Sequence, residues 1–458
     1  MSTSYKPHLT AVAAALALAF ASDAAAQTCD AARLCTVTSA ADTATLGTLR
    51  GALQEIQFAC FCAGPYTVQF AFPGLTTLAL GSQLPVVTCQ TFIDGYAQAV
   101  PANGATPNTL ADIRSGTNAN PRVVLDGSAV TGPLLVFGAG SANSALKGLV
   151  FQNYGTTAVQ VQSANVSILG NHFGTNPAAT ACAGAGNGVG LELTTGAANH
   201  QVGGLNPADR NVFGCNTDTG IDIFASTGSV FGNLIGTGAA DAALPNGTGV
   251  FLETSFEVGN NLIGQSSLGS GNLIARNSGA GVVVGFGNKY GAYIQGNDIF
   301  LNGGIGIDLG FDGPTPNNAS TFPLFGQSNN GMNAPRIDFV RYDTANTTID
   351  WSFNGFANTT VFVDFHSNPA GLGIDEGARW FGSDSAFTTG GGAAAGSVTF
   401  VGVQPSPTAT ATVNGSGTSE FSPAAALDVN PKFLAFSSAV GVPSAPQVVT
   451  YTNLGGAP

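Results

Sequence analysis

Asn211-Val-Phe-Gly-Cys-Asn216, running through Thr-Asp-Thr into Gly220-Ile-Asp-Ile, carries the pattern that decides the fold. It returns as Asn272-Leu-Ile-Ala-Arg-Asn277 before Gly281-Val-Val-Val, and as Asn297-Asp-Ile-Phe-Leu-Asn302 before Gly306-Ile-Asp-Leu. In each copy the two asparagines stand five apart and the glycine nine after the first. A longer period lies over this one. Gly170-Asn171-His-Phe-Gly-Thr recurs as Gly232-Asn233-Leu-Ile-Gly-Thr after 62 residues and, more loosely, as Gly296-Asn297-Asp-Ile after a further 64. Recurrence at a fixed period of this size marks a solenoid.

The residue types say which solenoid. The apolar segments are too short for helices, and Gly or Asn, which enter left-handed backbone most easily, bounds each one. Short strands broken at such corners wind into a right-handed parallel β-helix, with coils stacked ~4.8 Å apart. Asparagines recurring at one corner stack as an amide ladder. The spacing predicts that Asn153, Asn171, Asn216, Asn233, Asn277 and Asn297 share equivalent corners, with coils of about 21 residues and three coils to the long period.

Working outward, Lys6 and His8 precede an apolar run from Ala11 to Ala21, with small residues at Ala24–Ala26. Residues 1–26 therefore read as a secretory signal, and no later stretch is long and apolar enough to span a membrane. An exported chain favours disulfides. Cys182 with Cys215 is the preferred pair, Cys29 with Cys35 another, and Cys89 with Cys60 or Cys62 a third, leaving one of the seven cysteines over. No spacing suits zinc. Charged residues make up 9% of the chain and the net charge is −13. Thirteen scattered basic residues leave no footprint for nucleic acid. A body so negative also repels acidic polysaccharides.

Residues 27–64 read as a cap, in which Leu46, Leu49, Leu53 and Ile56 have the spacing of a short amphipathic helix. Such a cap covers the solenoid's open first coil. The helix domain runs over 65–312. A Pro- and Asn-rich linker follows at 313–335, then a β-sandwich at 336–425 with strands at Thr348–Phe353, Thr360–His366, Ser397–Val403 and Thr408–Val413. Residues 426–458 look like the first strands of an immunoglobulin-like domain.

The order Thr36-Val-Thr with Asp42 and Leu49-Arg50, Ile93-Asp-Gly-Tyr96, Pro107-Asn-Thr109, Leu125-Asp-Gly127, Gly148-Leu-Val-Phe-Gln-Asn153 and the Gly-Asn-x-Ile-Gly-Thr repeats resembles secreted bacterial parallel β-helix repeat proteins of the pectin-lyase-like superfamily. The resemblance covers about Cys35 to Pro423 and implies the fold and a secreted or cell-surface location. It implies no single chemistry.

Asn216-Thr217-Asp218 with Asp222 is similar to the first active-site motif of polygalacturonases, which hydrolyse with paired carboxylates. The repeat partners Asn277-Ser-Gly and Asn302-Gly-Gly lack the aspartate, so the ladder already accounts for the asparagine. His200 is a weak candidate base, and Asn261 stands at its repeat position. Asp308, Asp312, Asn317 and Asn318 offer hard oxygen ligands for calcium, although such residues are also ordinary in turns. No other cofactor is implied. Two function classes follow. The favoured one is a non-catalytic adhesin or display scaffold that binds a neutral glycan or a cell surface. The alternative is a polysaccharide-active enzyme, a lyase, hydrolase or epimerase, whose mark is a cluster of carboxylates on consecutive coils of one face.

Overall fold

The computed structural model describes residues 29–59, 64–98, 103–184, 187–224, 227–253, 260–267, 269–286, 291–369, 376–423, 427–430 and 450–453. The leader expected at 1–26 and most of the tail lie outside them, as do Cys60 and Cys62.

The repeat builds three all-parallel sheets of nine, eight and seven strands. The nine-stranded sheet runs from Leu34–Val37 to Tyr293–Ile294, the eight-stranded from Thr76–Ala79 to Asp298–Phe300, and the seven-stranded from Leu135–Phe137 to Ile307–Leu309. The protein is a right-handed parallel β-helix. Inward positions stack like on like, because a parallel register puts equivalent residues of successive coils side by side. Val161, Leu193, Ile223, Leu252, Val284 and Leu309 form one such column. The rings of Phe151, Phe173 and Phe213 stack at 5.0 and 4.6 Å in another.

The asparagines form two ladders rather than one. In the first, the Nδ2 of Asn171, Asn211, Asn233 and Asn272 each donates to the Oδ1 of the next asparagine, ending on Asn297, at 2.9–3.3 Å. The second runs Asn216, Asn246, Asn277, Asn302 in the same way at 2.7–2.9 Å. The expected set of six is therefore divided: Asn171, Asn233 and Asn297 stand at one corner, Asn216 and Asn277 at the next. Asn153 lies in neither, and its Nδ2 donates to Asp126. The five-residue spacing is one short strand of the eight-stranded sheet with a ladder at each end. Coils are also longer than expected. His172 pairs directly with Val212, and Leu234 with Leu273, so two coils make the long period, not three.

The extra length sits in bulges after the Gly-Thr of alternate coils and in bulges before their next ladder asparagine, Asn211 or Asn272. One carries Cys182, bonded to Cys215 with the Cα atoms 5.5 Å apart. Thr175, at the base of the same loop, bridges Cys182, and Phe173 pairs with Phe213, so Cys215 lies one coil on and no two-coil span is involved. Cys29 bonds Cys35, and Cys89 is disulfide-bonded to a residue outside those described.

The N-terminal helix spans Leu49–Ala59 and buries Leu49, Ala52, Leu53 and Ile56 against the first coils. Leu46 lies outside it and is exposed, because Thr45 and Thr48 form the turn that precedes the helix. At the far end the sandwich pairs three strands with four, adding Arg336–Tyr342 and Arg379–Phe387 to the strands expected. Its acidic side chains replace the missing next coil. Asp364 accepts from the Gly296 amide, Glu376 from the Leu301 and Asn302 amides, and Glu420 from the Leu309 amide. Each carboxylate satisfies an edge amide that a further coil would have satisfied. In the tail, Leu427–Asn430 pairs antiparallel with Thr450–Asn453; the rest of the immunoglobulin-like expectation lies outside the described residues.

Candidate functional site

Alternation along a strand sends every second side chain of the seven-stranded sheet outward. Parallel register then lines up Gln160, Glu192, Asp222, Phe251, Val283 and Asp308 in one outward column. Asp222 thus stands between Glu192 on one strand and Phe251 on the other. The period of about 61 residues matched it with Val283 and passed over both neighbours, because one long period holds two coils.

Glu192 is held in place: the Gln160 amide donates to one oxygen at 2.9 Å and the Thr157 hydroxyl to the other at 3.3 Å. Asp222 has no side-chain partner of this kind: its buried Oδ1 has no hydrogen-bond partner among the described residues, and the group's hydrogen bond comes from the Ile223 backbone. Burial, reinforced by the nearby negative charges of Glu253, Glu192 and Asp218, pushes its pKa up to about 8. The group therefore carries a proton at neutral pH. Asp218 is exposed on the turn before this strand. Beyond Asp222, the Phe251 ring meets Phe311 edge-on at 5.8 Å, and Phe286 lies beside Gly310. Phe286 and Phe311 are 54% and 65% exposed, so this end of the face is an apolar patch in water. One face therefore offers a carboxylate, a carboxylic acid and phenyl rings in sequence.

The other expected residues lie elsewhere. His200 is buried on the nine-stranded sheet, with Nδ1 3.0 Å from the Ala197 carbonyl and burial holding its pKa down to about 4. A Cβ at Gly228 would overlap the imidazole, so the ring fills a packing slot. The four calcium candidates are not gathered. Asp308 accepts from the Asp312 and Gly313 amides in its own turn, whereas Asn317 and Asn318 hold Ala334 and Gly331 in the linker. Among the described residues no three of His, Cys, Asp or Glu are grouped to hold a metal ion, the carboxyls around Asp222 included. Glu192 and Glu253 went unnoticed in the sequence. The available signal was the outward register Leu-Glu-Leu, Ile-Asp-Ile, Phe-Leu-Glu of Leu191–Leu193, Ile221–Ile223 and Phe251–Glu253.

No protein-family model matches the chain, and no curated protein does. A solved structure, the enzymatically active domain of tailspike protein 2 from bacteriophage CBA120, is similar over 79% of this chain and 72% of its own, at 10% identity and a TM-score of 0.27. A likeness so slight carries no argument. Among the described residues no helix is long and apolar enough to cross a membrane.

Proposed function

We propose that this protein binds a neutral glycan along the outward face of the seven-stranded sheet, acting as a secreted or cell-surface adhesin or display scaffold. The observation that supports it is the column itself: hydrogen-bonding groups at Gln160, Glu192 and Asp222 lead straight to the rings of Phe251, Phe311 and Phe286. A pyranose chain presents hydroxyls at its edges and C–H groups on its faces, and such a strip matches both. A net charge of −13 and the carboxyls of this face disfavour an acidic polymer.

One observation favours a second reading, glycoside hydrolysis. Asp222, protonated at neutral pH, stands on the strand next to a fixed Glu192 carboxylate. An acid and a base so paired are what glycosidases use, and neighbouring strands ~4.8 Å apart approach the ~5–5.5 Å separation of retaining enzymes. In that reading Asp222 protonates the leaving oxygen as Glu192 attacks the anomeric carbon and the glycosidic C–O bond breaks; water, giving its proton to Asp222, then displaces Glu192 and completes the hydrolysis. The two readings separate by incubating the secreted protein with neutral polysaccharides. Binding without release of oligosaccharides supports the scaffold; release that is lost in Asp222→Asn and Glu192→Gln supports the hydrolase. Neither binding nor release would overturn both.

A further inference from the structure

A second concave site lies across the helix, at the corner where the nine- and eight-stranded sheets meet, far round the coil from the Asp222 face. It is a cavity of about 320 Å³ roofed by the loop around Ile113 and walled by the first residues of the sandwich strand Arg379–Phe387. Its floor is the backbone of Gly204, Gly232, Gly271 and Gly296. Its volume is in the range of small-ligand sites, roughly 300–1,000 Å³.

The charges of this cleft are unusual for the chain. Three of the protein's thirteen basic residues, Arg114, Arg210 and Arg379, line it against two aspartates, Asp112 and Asp298. Four of these five are already committed. Asp298 takes the Arg114 Nε at 2.8 Å on one oxygen and the Trp380 amide at 2.8 Å on the other. Asp112 accepts from the Arg114 amide at 3.0 Å. Arg210 donates to the carbonyls of Leu110, Gly116 and Ala111. Arg379 makes no ion pair with any described residue and only adds its charge to that of Arg114 around Asp298. Trp380 stands beside it in the same wall.

We infer that this cleft binds a small hydroxylated carboxylate, such as a monomeric sugar acid. The planar guanidinium of Arg379 takes the carboxylate as a two-pronged pair, the indole of Trp380 supports the ligand's C–H face, and the glycine backbone with Asn206 serves its hydroxyls. Arg379 fits the role because two guanidiniums, its own and that of Arg114, share the single Asp298 carboxylate, which leaves a net positive charge at the mouth. The site is separate from the glycan face: its residues come from another corner of the helix and, for Arg379 and Trp380, from the sandwich.

The test is calorimetric titration of the full chain with glucuronate, glucose and glucose 6-phosphate. A charge-assisted pair is worth about tenfold or more in affinity. Glucuronate should bind saturably at least about tenfold more tightly than glucose, and Arg379→Gln should bring it to the level of glucose without changing the melting temperature. Should that variant melt early, Arg379→Lys replaces it, with a several-fold loss expected because the fork is gone. Glucuronate binding no better than glucose, tighter binding of the phosphate, or no effect of either variant would each overturn the assignment. Asp222→Asn should leave this binding unchanged, so failure here is distinct from failure at the seven-stranded sheet.

Discussion

Replacing Asn233 by alanine strips the first ladder at its centre. Asn233 Oδ1 accepts from the Asn211 Nδ2 at 2.9 Å and from its amide at 3.4 Å, while its Nδ2 donates to the Val202 and Phe231 carbonyls and to Asn272 at 3.0 Å. Without the side chain, Asn211 keeps the Ile168 carbonyl as a partner at 2.8 Å, but its amide is left buried and unbonded. Asn272 loses less, because the Asn233 backbone still donates to it at 3.0 Å. One stranded buried donor costs about 1–3 kcal/mol. A middle value of ~2 kcal/mol corresponds to roughly 30-fold more frequent local opening. Amide hydrogen exchange followed by mass spectrometry on peptides covering 202–213 and 230–236 reads this directly. The control is Asn317→Ala, whose bond to Ala334 is exposed to water. If exchange at those peptides rises no more in the Asn233 variant than in the control, the ladder is decoration and the reasoning fails.

Three more outcomes follow from the same physics. Replacing Cys182 and Cys215 by alanine opens a bridge of sequence separation 33 and should cost about 2–4 kcal/mol, with proteolysis in the 176–184 bulge as the readout. Asp222 and Asp364, pushed up to about 8 and about 6 by burial, bind protons more tightly folded than unfolded. Their contribution is complete below about 3.9 and is lost as pH rises through those values, so the melting temperature should fall from pH 5 to pH 8.5, and Asp222→Asn should flatten the portion above pH 6. Asp364→Leu removes the acceptor for the Gly296 amide and the Ser266 hydroxyl. It should therefore raise exchange in the last coil, around 293–300, well before it affects the first.

The architecture was open to reading because the solenoid writes its register into the chain. Glycine and asparagine at corners and alternating aliphatics on strands name the fold without long-range information. The coil count was not, because Asn211 and Asn216 are the same residue type at two different corners, and bulges of unequal length hide the true step. The Cys182–Cys215 bond ties one such bulge to the next coil, which spacing alone cannot show. The site was half legible. Asp222 stands out in its motif, but its neighbours Glu192 and Phe251 come from coils whose sequence distance to it is set by those same bulges. The chemistry of Asp222 comes from that stacking, since desolvation and three nearby carboxylates exist only once the coils are wound. His200 shows the converse: a reactive residue type whose burial makes it packing.

The proposed glycan binding rests on the outward face of the seven-stranded sheet. Its most direct measurement is binding of the protein to an array of neutral and acidic glycans, with Phe251→Ser and Phe311→Ser as the paired variant. Retention of a neutral glycan, reduced about tenfold or more when both rings are removed, is the predicted result. Binding confined to acidic glycans, or binding to neutral ones that is indifferent to both rings, would contradict it.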